Sequence, residues 1–433
     1  MKIAILVTHF PAVSQTFILN QITGLIERGH EVDIYALRDP KATHKVHSDV
    51  SKYSLINRIH YYATMPKNKF LLVFKSLGLL LTHGYKAPMI LLRSLNVFKY
   101  PKHFRPLSLL YLAIPFLGKQ ASYDIIHCHF GTNGLRGSLL RDIGAIKGKL
   151  IVTFHGHDVT SLPRQYGTDV YKELFQKSDL HTVNTRFTRG KVVALGCPEN
   201  KLVKLPVGLN ISKYTLQERK LHLGESVKIV TVARLVEKKG IEYAIRAVAK
   251  VAKSYPNIVY QIAGDGPLRE SLENLIMELD LSNNVKLLGW MTQDELLQLY
   301  ANAHIFVLSS VTAANGDQEG QGLVLQEAQA MGLPVLSTLH NGIPDGVLDG
   351  QSGFLVPERD VDALAEKLSY LIEHPQVWSD MGRAGRTYIE KHYDIDRLND
   401  RLVEIYRKVI NFGVFQHGHE SHAASRGYPQ IQN

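Results

Sequence analysis

Apolar runs and amphipathic stretches alternate along the start of the chain. The segment "KIAILVT" is almost continuously apolar, which is typical of a parallel strand covered on both faces. A helical spacing of apolar residues follows and ends at Gly29, made by Phe17, Ile18, Ile22, Leu25 and Ile26. The next apolar run, "EVDIYAL", predicts a second strand. The first 37 residues therefore predict a βαβ unit, with Ser14 as the N-cap of its helix.

The same strand-then-helix order recurs in two series. The first series continues with the strands "YDIIHCHFG", "KLIVTFHGHD" and "DLHTVNT". The second begins near Val227 with "VKIVTVARL", "IVYQIAG", "VKLLG", "HIFVLSS" and "PVLST". Its helices are predicted to start near Gly240, Pro267, Thr292 and Gly322. The pattern predicts the α/β class, with two Rossmann-like, doubly wound parallel sheets that face each other across a cleft.

The length of 433 residues favours two domains over one. We place the first domain at residues 1–210, ending in the stretch "LPVGLN", and the second at 211–412, which includes closing helices. Residues 413–433 are polar and aperiodic, and this tail is predicted to be disordered. Ligands of such sheets bind beyond the carboxyl ends of the strands, so the loops of both domains should point into the cleft.

Composition is that of a globular protein, with 45% hydrophobic and 21% charged residues. The two cysteines, Cys128 and Cys197, imply no disulfide framework and favour a reducing compartment. The start "MKIAILVTHFP" has a short apolar run and no small-residue cleavage site, so we interpret it as a buried strand rather than a signal peptide.

The net charge of +10 is concentrated in one insert, residues 50–123. That insert carries eight lysines, three arginines and no Asp or Glu. Its apolar runs, "FLLVFKSLGLLL" and "PLSLLYLAIPFLG", are shorter than the roughly 18 residues that span a bilayer. The insert is predicted to lie on an anionic membrane surface, the alternative being core helices whose lysines face water. No nucleic-acid-binding motif accompanies the charge, so nucleic acid is not the predicted partner.

Two cations flank the first loop of the second domain. In "VARLVEKKG", Arg234 follows a strand and Lys239 precedes a helix start. An arginine, a lysine and a helix N-terminus together suit a diphosphate, and an exposed basic loop is the alternative. The glycine turn "AGDGPLRE" has Arg269 where a dinucleotide fingerprint needs glycine, and "GAIKGKL" misses the spacing and hydroxyl of a P-loop. Both departures argue against NAD and ATP chemistry.

Paired histidines raise the possibility of a metal site. His127 and His129 lie in "HCHFG", and His155 and His157 lie in "FHGHD". Two histidines separated by one residue share a strand face, as in some zinc sites. No carboxylate set accompanies them at a defensible spacing, and a histidine beside a glycine equally suits a polar ligand. We expect no metal and no other cofactor.

The stretch "EGQGLVLQEA" places one carboxylate in a loop and a second inside the following helix. Glu319 precedes the helix, which begins near Gly322, and Glu327 lies within it. The backbone amides of Gly320, Gln321, Gly322 and Leu323 lie at the positive end of the helix dipole. Carboxylates for hydroxyls, beside Arg234 and Lys239 for phosphates, predict a nucleotide-sugar site.

These motifs in this order resemble the retaining glycosyltransferases of family 4, which have the GT-B fold. The resemblance rests on the Arg234/Lys239 pair, the two glutamates, "HGHD" and "NGIPDGVLDGQSGFLVP". The stretches "FPAVSQTFILNQI" and "SSVTAANGDQEGQGLVLQEA" look most like the exopolysaccharide branch, the colanic-acid and amylovoran type.

The resemblance implies roles for individual residues. Arg234 and Lys239 would bind the donor diphosphate, Glu327 the ribose hydroxyls and Glu319 the donor sugar, while His155 would contact the sugar near its reacting carbon. Many members carry a Gly-Gly loop after the first strand. Here "PAVS" stands in its place, and Ser14 and Thr16 are the candidate substitutes for its phosphate contact.

The sequence thus predicts a retaining glycosyltransferase that moves a sugar from a nucleotide donor to a lipid-linked saccharide in bacterial exopolysaccharide biosynthesis. It would act in the cytoplasm, peripherally on the inner face of the cytoplasmic membrane. The alternatives are a nucleotide-sugar epimerase or glycan phosphorylase of the same fold, a zinc hydrolase built on the histidine pairs, and a non-catalytic membrane-bound scaffold.

Overall fold

The structure is a computed structural model that describes residues 1–11, 16–38, 48–96, 107–118 and 121–412. Ser14 and the predicted disordered tail, 413–433, lie outside the described residues. Within those residues the strands form two separate all-parallel sheets, as the sequence predicts. The two sheets give the α/β, GT-B-type architecture expected from the two series of apolar runs.

The first sheet has the strand order β3-β2-β1-β4-β5-β6-β7. Its strands are β1 Lys2–His9, β2 Glu31–Leu37, β3 Ile59–Tyr61, β4 Ser122–His129, β5 Lys147–Phe154, β6 Leu180–Val183 and β7 Leu202–Lys204. The helices that accompany it are α1 Thr16–Glu27, α2 Ser48–Lys52, α6 Gly131–Asp142, α7 His157–Tyr166, α8 Lys172–Lys177 and α9 Arg186–Ala194. The central strands β1 and β4 are buried along most of their length, because helices cover both faces of a parallel sheet.

The second sheet has the order β10-β9-β8-β11-β12-β13. Its strands are β8 Val227–Val232, β9 Ile258–Ala263, β10 Val285–Gly289, β11 Ile305–Leu308, β12 Val335–Thr338 and β13 Gly353–Val356. Its helices are α10 Ile241–Ala252, α11 Arg269–Glu278, α12 Gln293–Asn302, α13 Leu323–Ala330, α14 Val361–Glu373 and α15 Trp378–His392. In both sheets the chain order reverses beside the first strand, so a crevice opens there at the carboxyl ends of the strands.

The last helix, α16 Ile395–Phe412, returns to the first sheet. By sequence it falls in the predicted second domain, but its buried residues join the core formed by β1, β2 and α1, and they include Leu402, Tyr406 and Val409. Just before it, the linker is tied down because Leu209 N–H donates to the carbonyl of Tyr393 at 2.9 Å. The helix thus fastens the second domain to the first.

The described part of the basic insert contributes β3 to the first sheet and otherwise contains mainly short helices. Its described helices are α3 Lys69–His83, α4 Pro88–Ser94 and α5 Ser108–Ala113. They share a small core of their own, made by Leu72, Leu91, Leu110, Tyr111 and Leu117. Among the described residues, every helix is too short or too polar to cross a bilayer.

Candidate active site

The loop after β8 carries the two predicted phosphate-binding cations. Arg234 is exposed, and its guanidinium has no hydrogen bond or ion pair within the described ranges. Lys239 ends a short helical turn, and Gly240 then starts α10 with φ of +59°. A Cβ at Gly240 would lie 1.9 Å from the carbonyl oxygen of Ser309, so only glycine allows the loops after β8 and β11 to approach this closely.

Lys239 and Glu319 form an ion pair with each other across these loops. Their side chains are 13% and 14% exposed, and the neighbouring Lys238 reaches the carboxylate of Asp317 at 3.1 Å. Burial would raise the pKa of Glu319, but the charge of Lys239 and its hydrogen bond outweigh that effect and lower the pKa. The structure therefore brings together two residues whose proximity the sequence only implied.

The backbone of Glu319 is held by a buried histidine that the sequence analysis missed. Glu319 N–H donates to Nε2 of His340 at 3.1 Å, and Nδ1 of His340 lies 2.6 Å from Oε1 of Glu358. Asn341 contributes a further amide, which donates to the carbonyl of Glu319 at 3.3 Å. No motif pointed to His340, because its role depends on a tertiary contact between the loops after β11 and β12.

The predicted amide cluster starts α13, as expected, but one of its side chains is engaged elsewhere. Gly322 has φ of +73° and directly precedes Leu323, the first residue of the helix. The side chain of Gln321 makes two hydrogen bonds to the backbone of Val207 in the interdomain linker, at 2.9 and 2.8 Å. Gln321 thus has only its backbone available for a ligand. Its side-chain amide ties the loop between β11 and α13, residues 309–322, to the linker; we name this segment the donor loop after the role that the sequence predicts for it.

Glu327 lies one turn into α13 and is partly buried. Tyr300 Oη donates to its Oε2 at 3.0 Å. Burial raises the pKa of Glu327 to about 7, against the opposing hydrogen bonds from Tyr300 and Tyr214. The carboxylate therefore titrates close to neutral pH, which is unusual for a group that is expected to accept hydrogen bonds from hydroxyls.

His155 directly follows β5, in the first domain, and its backbone lies against the donor loop. A Cβ placed on Gly320 would lie 2.9 Å from the carbonyl oxygen of His155, so the loops of the two domains meet here. The ring packs against Phe17 and Phe130 at 4.9 and 4.6 Å between centroids. Burial lowers the pKa of His155 to about 3, so its imidazole is neutral and can serve as a hydrogen-bond donor.

Buried polar residues orient the His155 loop. Asp158, which is 2% exposed, accepts hydrogen bonds from the backbone N–H groups of His155, Gly156 and Gly131 at 3.1, 2.9 and 2.9 Å. Asn184 donates to the carbonyl of His155 at 3.3 Å. Asp158 belongs to the quoted motif "HGHD", but neither its role nor that of Asn184 was predicted.

Three of the four paired histidines contact other protein side chains. His127 is fully buried, and its ring nitrogens lie 2.6 Å from Tyr406 Oη and 2.6 Å from Thr153 Oγ1. Nδ1 of His129 lies 3.1 Å from Nε2 of His155, and His157 begins α7. Among the described residues, no three His, Cys, Asp or Glu side chains are grouped so that they could hold a metal ion.

The predicted substitute for the Gly-Gly loop is described only in part. Thr16 is exposed at the first residue of α1, whereas Ser14 lies outside the described residues. A pocket next to this helix is lined by Phe17 and Gln21 from α1, His155 just after β5, Val207 from the linker and Leu398 from α16. This pocket therefore lies where the first domain, the linker and α16 meet.

Two family models match the chain and together cover most of it. The model described as "Glycosyltransferase Family 4" matches residues 14–213, and the one described as "Glycosyl transferases group 1" matches residues 213–388. The boundary between the two matches lies at the linker, three residues beyond the predicted end of the first domain.

Two curated relatives from exopolysaccharide biosynthesis cover the chain almost from end to end, and a third covers about two thirds of it. The amylovoran biosynthesis glycosyltransferase AmsK of Erwinia amylovora is 32% identical over 94% of this chain and 100% of its own length. A Salmonella typhimurium protein assigned to colanic acid biosynthesis, WcaL, is also 32% identical, with the same coverage. GDP-mannose-dependent phosphatidylinositol monomannoside mannosyltransferase of Mycolicibacterium smegmatis is 29% identical over 65% of this chain and 76% of its own.

Solved structures share the fold at low sequence identity. HepE of Anabaena, solved with UDP and glucose, superposes with a TM-score of 0.67 at 18% identity, covering 94% of this chain and 100% of that one. Sucrose-phosphate synthase of Thermosynechococcus elongatus gives a TM-score of 0.66 at 19% identity, covering 94% and 99%. The arrangement of two parallel sheets, the matched models and the full-length relatives agree with each other. The chain belongs to glycosyltransferase family 4, has the GT-B fold and is a glycosyltransferase with homologues in exopolysaccharide biosynthesis.

Proposed function

We propose that this enzyme transfers a sugar from a nucleoside-diphosphate donor to a lipid-linked saccharide, with retention at the anomeric carbon, during exopolysaccharide assembly. The observation that carries the proposal is that loops of the two domains meet: the Lys239–Glu319 ion pair lies directly beside Gly320, whose backbone contacts the carbonyl of His155, and Lys239 shares its loop with Arg234. Arg234 and Lys239 supply positive charge, Glu319 contacts Lys239, and the Gly320 backbone reaches the His155 loop. The donors bound or required by related proteins, UDP-glucose for HepE and GDP-mannose for the mycobacterial enzymes, belong to this chemical class.

The roles follow from charge and hydrogen-bonding capacity. Arg234 binds two phosphate oxygens through its fork, while Lys239 adds a point charge and the amides of residues 320–323 donate from the start of α13. The carboxylate of Glu327 accepts hydrogen bonds from the ribose hydroxyls, and that of Glu319 accepts them from hydroxyls of the donor sugar. His155 donates from the first domain to the sugar near the reacting carbon. Thr16, with Ser14, supplies the phosphate contact that a Gly-Gly loop makes in other members.

The transfer proceeds as a same-face displacement. The bond between the anomeric carbon and the phosphate oxygen breaks while the acceptor hydroxyl forms the new glycosidic bond, and the hydroxyl proton passes to the departing phosphate. Fixed cations stabilise the charge that develops on the diphosphate, and loss of one such contact typically costs roughly 10²–10³ in rate. A mechanism with a covalent intermediate would need a carboxylate that is free to attack the anomeric carbon. Two carboxylates near the cleft are already engaged, because Glu319 is paired with Lys239 and Asp158 accepts hydrogen bonds from three backbone amides.

The proposal is tested by donor binding and by product analysis. Purified enzyme is screened in a thermal-shift panel of UDP, GDP, ADP and their sugar conjugates, where a ligand at 100 times its Kd adds about 2.7 kcal/mol of stability. One nucleotide sugar should stabilise the enzyme and, with a lipid-linked acceptor, yield an α-configured product from an α-configured donor. Release of an epimerised donor, or a strict need for inorganic phosphate, would support an epimerase or a phosphorylase instead. Absence of any stabilisation by nucleotides would overturn the proposal.

We further propose that the insert attaches the enzyme to the anionic inner face of the cytoplasmic membrane. Helix α3 buries Leu72 and Ser76 but presents most of its apolar residues to solvent, with Phe70 at 71% and Leu81 at 75% exposed. The exposed apolar side chains of α3, α4 and the turn between them are Phe70, Leu71, Val73, Phe74, Leu77, Leu81, Tyr85, Met89 and Leu92. So many exposed apolar side chains on two neighbouring helices are unusual for a monomeric soluble protein.

We name the exposed apolar residues just listed the α3–α4 face. The positive charge around this face favours an anionic membrane as its binding partner. Lysines 67, 69, 75 and 86 lie within or beside this face, and the insert contains no acidic residue. An anionic bilayer offers both an apolar interior for the phenylalanines and negative headgroups for the lysines. A lipid-linked acceptor would be met at the same bilayer.

A further inference from the structure

A buried imidazole, His340, and a partly exposed carboxylate, Glu358, together hold the donor loop at Thr312 and at Glu319. Glu358, just after β13, accepts from Thr312 N–H at 2.8 Å through Oε2, at the start of the loop. Its other oxygen, Oε1, lies 2.6 Å from Nδ1 of His340, which in turn contacts Glu319 N at the far end of the loop. The carboxylate of Glu358 therefore links residue 312 directly, and residue 319 through His340, so that the two positions are held relative to each other.

Geometry fixes the direction of the hydrogen bonds in this pair. Nε2 of His340 faces two N–H donors, the backbone of Glu319 at 3.1 Å and the side-chain amide of Asn341 at 2.9 Å, so Nε2 is an acceptor. The proton of the neutral ring is then on Nδ1 and is donated to Glu358. Burial would raise the pKa of Glu358, but the bonds from His340 and Thr312 lower it, so the carboxylate stays ionised.

We propose that His340 and Glu358 are positioning residues that set the backbone of Glu319 and Gly320 for recognition of the donor sugar. His340 has no exposed surface, so it acts through the Glu319 amide and not by touching the donor. The inference rests on the proposed function, in which Glu319 contacts the sugar while Arg234 and Lys239 hold the diphosphate. Loss of the pair should therefore weaken binding of the intact nucleotide sugar more than binding of the nucleoside diphosphate alone.

The experiment measures both affinities by calorimetry in variants of the full chain. His340→Asn keeps an amide donor near the Nδ1 position but removes the acceptor for Glu319 N–H. Affinity for the nucleotide sugar should fall about tenfold, because a buried N–H loses its partner, while affinity for the diphosphate changes less than about threefold. His340→Gln can place an oxygen near the Nε2 position and should restore most of the sugar-specific affinity.

His304→Asn is the matched control for loss of a buried histidine. His304 lies in the same domain, accepts from Lys228 N–H at 3.0 Å and lies 3.7 Å from Glu225. Its variant should lower the melting temperature without changing the ratio of the two affinities. If His340→Asn does not fold, Glu358→Gln gives the same comparison, because its amide would face Thr312 N–H.

The two hypotheses fail in different ways. Failure of the wild-type enzyme to bind any nucleotide sugar would remove the proposed function itself. A wild type that binds, with folded His340→Asn or Glu358→Gln proteins whose affinity ratio is unchanged, would overturn the positioning role alone.

Discussion

Asp345 receives two hydrogen bonds from Arg186, one from the backbone N–H at 2.8 Å and one from Nε at 2.5 Å. Asp345 follows β12 in the second domain, whereas Arg186 begins α9 in the first. Lys204 of β7 adds a third contact at 3.1 Å. Burial would raise the pKa of Asp345, but these partners lower it, so a charged carboxylate joins the domains at neutral pH.

Substitution of Asp345 should loosen this junction. Asp345 is 4% exposed, and Asp345→Ala removes its contacts with the Arg186 backbone, Arg186 Nε and Lys204 Nζ, so we expect a loss of about 1–3 kcal/mol in the free energy of unfolding. Arg186→Ala should cost less than about 1 kcal/mol, because that side chain is 70% exposed and screened by solvent. Urea unfolding of both variants checks the order, and an equal loss would contradict it.

Arg234→Ala should nearly abolish turnover while the fold persists. Arg234 is exposed and its guanidinium makes no hydrogen bond or ion pair with the described residues, so its removal costs little stability but deprives the leaving diphosphate of a bidentate cation. A reduction of roughly 10²–10³ in kcat is expected. Arg246→Ala, an exposed arginine on α10 that also has no partner among the described residues, is the matched control. Unchanged kinetics in folded Arg234→Ala would remove the phosphate-binding role.

Lys239 should behave differently from Arg234, because it is paired with Glu319 and is mostly buried. Lys239→Ala should weaken nucleoside-diphosphate binding and nearly abolish turnover, and it should also lower the melting temperature, since Glu319 then loses its counter-charge. Comparison of melting temperatures for the two cation variants checks this distinction.

Donor affinity should rise with pH through neutrality. The pKa of Glu327 is raised to about 7, and the ionised form is the stronger acceptor for ribose hydroxyls. If only the carboxylate binds, affinity increases about tenfold between pH 6 and 8, the ratio of the ionised fractions. Glu327→Gln accepts hydrogen bonds without titrating, so its affinity should be lower and flatter over this range. Parallel profiles for wild type and variant would assign the titration to another group.

Activity should survive EDTA, and purified enzyme should contain far less than one equivalent of zinc. Both ring nitrogens of His127 are engaged by protein hydroxyls, and Nδ1 of His129 lies 3.1 Å from Nε2 of His155, so these three histidines already have protein partners that orient their rings. Elemental analysis before and after chelation provides the measurement. Loss of a stoichiometric metal together with activity would restore the zinc hypothesis, and His127→Gln would then identify the ligand.

The sequence predicted the parts of the molecule that depend on local pattern. The strands that were predicted, the start of α13 and the two parallel sheets are confirmed, whereas the short strands β3, β7 and β13 were not predicted from the apolar pattern. The contact between Lys239 and Glu319 was implied only by the order of the motifs along the chain, and no local pattern predicted it. His340, Glu358 and Asp345 were missed as site residues because each acts across 18 or more residues of sequence, through loops that only the folded chain brings together.

Membrane attachment should depend on apolar side chains as well as on charge. Phe70 and Phe74, whose rings lie 4.7 Å apart, are both exposed on the α3–α4 face. Phe70→Ser/Phe74→Ser should reduce binding to phosphatidylglycerol vesicles at least about tenfold, because each phenylalanine that enters the bilayer contributes roughly 1.5–3 kcal/mol. Lys69→Glu/Lys75→Glu should also weaken binding, by about 1 kcal/mol or more per site, and high salt should release the wild type. Co-sedimentation measures both effects.

Leu223→Ser is the matched control, since Leu223 is a fully exposed leucine in the second domain and lies outside the α3–α4 face. It should pellet like wild type, and all three variants should keep wild-type nucleotide binding, because the α3–α4 face contributes no donor-site residue. Attachment driven by apolar insertion alone would give equal pelleting with neutral and anionic vesicles and would be insensitive to Lys69→Glu/Lys75→Glu. Attachment by charge alone would be insensitive to the phenylalanine variant. Either result would contradict the combined mechanism, and absence of pelleting with both lipids would leave the α3–α4 face without a membrane role.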